Sequence, residues 1–381
     1  MQRLPVDLFR QHLPEMVTLL RELVTIESPT TDQAAVDRLG QRVLQALSDL
    51  GGEVQVMPQS SAGDHILYRW GAGAGRLLVL CHLDTVFPLG TLVVQPVRES
   101  DGKLYGPGVS DMKVSIAMLL TILRLFRSLD LKPTRPITAL FTSDEETGSQ
   151  TSRPIIESEA SQAGLAFCLE PALASGAIKT ARKGTGDIEI LVTGRAAHAG
   201  IDHEKGRNAI EELAYHILEA QRLTDYPRGT TVNVGVVSGG TRGNVVPDEA
   251  HALIDFRVTH MDEFHRLERW AKGLTPVIDG THLSAVTTLN RPPMPRDENM
   301  ARTFHKAQVI AAELGLALSE GSTGGGSDAN FIAPLGIPVL DGLGAVGDGA
   351  HSAREFIWIE SLAERSALLA NLMLDGLMDH A

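Results

Sequence analysis

A chain of 381 residues with 43% hydrophobic and 21% charged residues can bury a large core and divide into two domains, which excludes wholesale disorder. Its formal net charge of −13, with no Lys/Arg run, excludes a basic nucleic-acid-binding surface. Two cysteines, Cys81 and Cys168, exclude a disulfide framework and a cysteine-rich zinc site, and no run of about 18 apolar residues offers a membrane span.

The N-terminal MQRLPVDLFRQHLPEM has no apolar h-region, so the expectation is a soluble cytoplasmic protein that binds neither nucleic acid nor membrane. Residues 8–25 and 33–49 carry apolar side chains at helical spacing, the second run ending at Gly51-Gly52. Apolar runs at 53–57, 65–70 and 77–81 read as strands. Residues 112–129 form a helix pattern directly after Ser110-Asp111, and strands at 136–142 and 165–169 lead into Asp144-Glu145-Glu146 and Glu170-Pro171. Alternating strand and helix predicts an α/β sheet with mostly parallel strands. Near residue 180 the pattern changes. Strand 187–193, helix 207–223, strands 230–237 and 250–259, helix 262–273 and strand 283–289 give the β-α-β-β-α-β order of a ferredoxin-like α+β sandwich. After Arg291-Pro-Pro-Met-Pro295, a helix at 298–314, a loop at 321–328 and a strand at 337–340 resume the first style. The expected division is a discontinuous domain of 1–179 and 291–381 with 180–290 inserted.

The chemistry gathers where strands run out into loops, which is where α/β sheets bind ligands. His82 and Asp84 follow the first such strand, Asp111 lies in YGPGVSDMK, Glu146 in SDEETGS, Glu170 in LEP, and His351 in GAHSAREF. Buried carboxylates repel one another unless a cation sits among them. His82, Asp111, Glu146, Glu170 and His351 supply two imidazoles and three carboxylates, a donor mixture that suits zinc better than magnesium or calcium. Five ligands are too many for one catalytic zinc and fit two metals sharing a carboxylate and a water, with Asp111 the natural bridge. Asp84, two residues past His82, is placed to orient the imidazole through its far ring N–H. Glu145, beside Glu146, is placed as general base toward the metal-activated water. Asp144 reads as a solvated loop acid, and Cys168 as plain strand packing.

The blocks HLDTVFPLG, YGPGVSDMK, SDEETGS, LEP, AAHAG, GNVVP, DFR, TGGGSDA and GAHSAREF run in the order found in M20 metallopeptidases, and over nearly its whole length the chain resembles the glutamate carboxypeptidases of that family. The resemblance implies a zinc-exopeptidase-like α/β/α domain carrying an inserted dimerisation or lid domain, and a hydrolase with two Zn2+ per subunit, for which Co2+ can substitute. It implies His82 and Glu170 on one metal, Glu146 and His351 on the other, and Asp111 between them. It also implies a homodimer through 180–290, in which His198 of AAHAG stabilises the oxyanion in the partner subunit's site. Asn244 and Arg257 match positions used for the substrate's carboxylate, a group that an Arg fork grips with two bonds. Gly325, within Gly324-Gly325-Gly326, permits close backbone approach to a ligand, and Arg291 at the second hinge faces substrate.

The expected reaction is therefore hydrolysis of an amide beside a free carboxylate in a small peptide or N-acyl amino acid. A carboxypeptidase releasing a C-terminal amino acid, with Glu145 as base, is the leading reading. The alternatives are an N-acyl-amino-acid deacylase of the acetylornithine or succinyl-diaminopimelate kind, and a non-catalytic binding relative, which the retained ligands and base disfavour. Glutamate selectivity is not written clearly: GAIKTARKGTG offers Lys179, Arg182 and Lys183 without an evident register. The plainer reading of Arg257 is a pair with an acid at a strand end.

Overall fold

The protein is described by a computed structural model covering residues 3–376, so residues 1–2 and 377–381, the ends of the expected first domain, lie outside the described residues. Two compact units emerge. The first comprises Met1–Ala181, Arg296–Ser322 and Ser327–Ala381, and the second Arg182–Pro295 with Thr323–Gly326.

The first unit is built on an eight-stranded sheet. Its centre is parallel: Ile137–Thr142, Arg76–His82, Ala163–Cys168 and Val339–Asp341 lie side by side in that order. These strands are buried almost throughout, so their sequences are continuous apolar runs rather than alternations. The flanks are antiparallel, so the sheet is mostly parallel, as expected. Strand His65–Trp70 pairs antiparallel with Ile137–Thr142 and with Glu53–Met57, because the connections within Glu53–Arg76 are short and cannot make the crossover a parallel neighbour needs.

Helices Leu13–Thr25, Val114–Ser128 and Ser361–Asp375 pack on one another. The expected first helix is two, Val6–Gln11 and Leu13–Thr25, because Pro14 cannot donate within a continuous helix and sits at the start of the second. Asp32 caps helix Gln33–Ser48 by accepting the Ala35 N–H at 2.9 Å, and Asp297 does the same for Glu298–Glu313 through Met300.

The second unit holds a four-stranded antiparallel sheet in the order Thr231–Gly239, Glu249–Val258, Gly184–Thr193, His282–Arg291, which is the ferredoxin-like arrangement. Alternation is clean along Gly184–Thr193: Ile188, Ile190 and Val192 point into the core while Asp187, Glu189 and Leu191 point out. Helices Ala209–Gln221 and Met261–Lys272 pack against this sheet, and Phe256 between them is fully buried, which stabilises the unit by about 2–3 kcal/mol. A two-stranded ribbon, Ala197–His198 with Val245–Val246, completes the unit.

Candidate metal centre

Three strands of the first unit, Arg76–His82, Ile137–Thr142 and Ala163–Cys168, run out at one place, where Asp111 and His351 join from turns. His82 is the last residue of Arg76–His82, in register with Thr142, and is 2% exposed. Its Nδ1 lies 2.9 Å from the main-chain oxygen of Asp84 and 3.4 Å from Asp84 Oδ1. A carbonyl only accepts, so Nδ1 carries the proton and Nε2 is turned toward the acids: 3.0 Å from Asp111 Oδ1 and 3.7 Å from Glu170 Oε1.

Asp111 comes from a distorted turn, Val109–Lys113, that precedes helix Val114–Ser128, and its peptide bond to Met112 is cis. Gly108 enters that turn with φ +71, and a Cβ there would lie 2.6 Å from Thr85 Cγ2, so glycine is required. The other oxygen of Asp111, Oδ2, lies 3.4 Å from His351 Nε2, and the same Nε2 is 3.1 Å from Glu146 Oε2. His351 adopts a left-handed backbone, φ 62, uncommon for a residue with a side chain.

Glu145 and Glu146 open a short turn, Glu145–Thr147. Their backbone N–H groups donate to the Asp84 carboxylate at 3.3 and 3.1 Å, and Thr30 Oγ1 donates to it at 2.7 Å. Asp84 therefore does more than was expected of it: it anchors the imidazole and also the segment carrying both glutamates. Donor atoms of His82, Asp111 and Glu146 lie within 4.8 Å of one another, as do those of His82, Glu145 and Glu170. Either trio could hold a cation.

The donor set passes a chemical test for divalent metal. Glu146 Oε1 is buried without a hydrogen-bond partner, although burial pushes the Glu146 carboxyl up to about 7. His351 is raised to about 11 by hydrogen bonds to Asp111 and Glu146. Burial works against a charged His82, but hydrogen bonds to Asp111 and Asp84 outweigh it and hold the imidazole well above its ordinary value. Burial works against a charged Asp111, but hydrogen bonds to His351 and His82 outweigh it and hold the carboxyl far below the usual carboxylate range. The acids thus draw protons onto both imidazoles, the response of a site built around positive charge.

Two supports were not singled out in the sequence. Glu355, 2% exposed, accepts N–H groups from Gly108 (3.0 Å), Ser110 (2.7 Å) and Asp111 (3.0 Å), and burial raises its carboxyl to about 7. Its signal was its place in GAHSAREF, four residues past His351. The second support corrects an expectation. Asp144 is not a solvated loop acid but is 3% exposed, and its Oδ2 accepts from Thr151 N and Oγ1 at 2.6 and 2.8 Å. A turn closing back on its own first acid, as 144–152 does, hides that acid from water.

The remaining candidates lie in the second unit, except Lys179, which belongs to the first. His198 is exposed, and its Nδ1 accepts the Gly200 N–H at 3.1 Å. The ribbon brings Asn244 near it, since Ala199 N donates to Asn244 O at 3.0 Å. Arg257 grips Asp255 with two bonds, at 3.0 and 2.7 Å, which is the plainer of its two readings. Arg291 is 4% exposed, and Gly326 leaves no room beside it, a Cβ there falling 2.6 Å from Arg291 Cδ. The carbonyls of Gly325 and Gly326 accept from Arg182 at 3.1 and 2.8 Å. Arg182 is 4% and Lys179 8% exposed.

The sequence matches Peptidase family M20/M25/M40 across residues 78–375. It is 31% identical over 373 residues to carboxypeptidase G2 of Pseudomonas sp. (strain RS-16), covering 95% of this chain and 89% of that protein. Succinyl-diaminopimelate desuccinylase of Pseudoalteromonas atlantica is 27% identical over 380 residues, covering 94% and 98%. A tripeptidase structure from Staphylococcus aureus superposes with a TM-score of 0.76 at 21% identity, covering 95% of this chain and 97% of that one. The likeness in fold therefore outlasts the likeness in sequence.

Proposed function

The chain belongs to peptidase family M20/M25/M40 and is a hydrolytic enzyme, and from that premise we propose a carboxypeptidase that uses two zinc ions to cleave an amide beside a free carboxylate. One observation carries the two-metal reading: the two oxygens of Asp111 face different imidazoles, Oδ1 toward His82 and Oδ2 toward His351. His82 and Glu170 would hold one ion, Glu146 and His351 the other, with Asp111 shared. The ions, when bound, supply a Lewis acid for the scissile carbonyl and lower the pKa of the attacking water. Glu145 takes the proton from that water and returns it to the leaving amine, while Asp84 fixes the His82 ring and the backbone of the glutamate turn. His198 is proposed to steady the oxyanion from a second copy, with Asn244, Arg257, Arg291 and the Gly325 backbone toward the substrate's carboxylate. For Arg257 this requires exchanging Asp255 for substrate.

The homodimer reading is supported by an apolar face on the second unit. Ile210 (43% exposed) and Leu218 (61%) share one side of helix Ala209–Gln221, and the neighbouring edge strand Thr231–Gly239 exposes Val237, in register with Ala252 on the helix-covered side of the sheet. Among the described residues no helix is long and apolar enough to cross a membrane. A cytoplasmic location is part of the proposal, in keeping with two cysteines that are both free and buried.

The higher identity to carboxypeptidase G2, 31% over 373 residues against 27% over 380 for the desuccinylase, favours the carboxypeptidase over the deacylase. The test is a screen of zinc-loaded and cobalt-loaded enzyme against C-terminal glutamyl, aspartyl and apolar peptides and against N-acetyl and N-succinyl amino acids. Faster release of C-terminal residues is expected. Turnover confined to the acyl compounds would replace it with the deacylase, and hydrolysis of none would sink both.

A further inference from the structure

We propose that the first unit carries a second small-molecule site, a cavity for an aromatic monoanion at the end of the large sheet away from the metal cluster. Position comes from the strand register. Thr142, the last residue of Ile137–Thr142, pairs with His82, whereas its first residue, Ile137, pairs with Trp70. A six-residue strand puts roughly 17 Å between those ends.

A cavity of about 560 Å³ opens beside Trp70, within the size range of small-molecule pockets. Its apolar wall includes Trp70, Phe126 and Leu131, the two aromatic rings stacked with centroids 6.3 Å apart and planes 30° from parallel. Its polar wall is cationic: Arg127, Lys132 and Arg135 against a single acid, Asp130. Arg135 is fixed by two carbonyls, donating to Gly75 O at 2.8 Å and Gly376 O at 3.0 Å, and has no ion-pair partner among the described residues. Arg127 and Lys132 are exposed and have no ion-pair partner among the described residues. In a chain of formal net charge −13 such a local excess of cations is an inversion, and it lies against an aromatic wall. A planar ring can stack on Trp70 while its acid meets Arg127 and Lys132, gaining both apolar burial and charge pairing. A neutral aromatic gains only the first. The site does not depend on the catalytic reading.

Anilinonaphthalene sulfonate, whose emission rises on leaving water, is the probe, titrated into the metal-replete enzyme. Saturable binding of one molecule per chain is expected. Arg127→Glu with Lys132→Glu should weaken it about tenfold or more through charge reversal, and the charge-matched control Arg38→Glu with Arg222→Glu should not. Hydrolytic rate should be the same in both. Equal weakening in the two pairs, no weakening in the cavity pair, or no saturable binding would each overturn the site. The neutral analogue N-phenylnaphthylamine should bind more weakly and be indifferent to the cavity pair, and equal sensitivity would reject the charge pairing.

Discussion

Glu355 reaches Asp111 through the main chain: its carboxylate accepts the Asp111 N–H at 3.0 Å, together with those of Ser110 and Gly108. One buried acid thereby shapes the whole turn that presents Asp111. In Glu355→Gln, an amide NH2 must face one or more of these donors. Metal affinity should fall about 10- to 100-fold, as for other residues that position ligands, read by competition with a chromophoric chelator. Unchanged affinity would leave Glu355 as packing only.

Glu145→Gln removes the proton acceptor and keeps the shape. Bound zinc by elemental analysis should be unchanged, while kcat drops by about 10²- to 10⁴-fold. Loss of metal along with activity would make Glu145 a ligand, which its closeness to His82 and Glu170 permits.

Stripping metal leaves Asp111, Glu146 and Glu170 crowded around protonated imidazoles. Dialysis against a chelator should abolish hydrolysis and lower the melting temperature, and zinc or cobalt should restore both, since a ligand that binds only the folded state stabilises it. A melting temperature indifferent to the chelator would argue against a site inside this cluster.

Glu263 gives the second unit an acid sensitivity of its own. Hydrogen bonds from Arg266, then Thr230 and Arg228, outweigh its burial and hold its carboxyl at about 2. A depressed carboxyl contributes stability that is complete above its unfolded value of 4.5 and is lost as pH falls toward 2. Unfolding monitored between those limits should show a loss that is much smaller in Glu263→Gln, a variant already less stable at pH 7. Parallel pH profiles for the two proteins would refute it.

Leu218→Arg places a charge on the apolar face of helix Ala209–Gln221. Light scattering should report monomers, and hydrolysis should fall with them if His198 serves a partner's site. A monomeric wild type would remove both expectations.

The candidate ligands were legible as a group because each follows a strongly apolar strand or sits in a Gly-rich turn, patterns that survive in one sequence. The ferredoxin-like order was legible from strands such as Gly184–Thr193 and Glu249–Val258, which alternate sharply. Three kinds of feature escaped. Short strands such as Lys103–Tyr105 and Phe356–Trp358 hold too few residues to show a period. Helix Ser361–Asp375 is buried on nearly every side, so it lacks the polar stripe that marks an amphipathic helix, and its Arg365 is hidden by donating to the carbonyls of Gly344 and Gly176. Glu355 acts on backbone groups of residues 108–111, a contact joining parts of the chain more than 240 residues apart.

The four residues Thr323–Gly326 group with the second unit although nearly thirty residues of the first precede them after Pro295. An excised fragment of Arg182–Pro295 would lack them, and with them the Gly325 and Gly326 carbonyls that accept from Arg182. The autonomous portion is thus not a continuous stretch of the gene, and a fragment meant to isolate it should carry the glycine segment on a linker after Pro295.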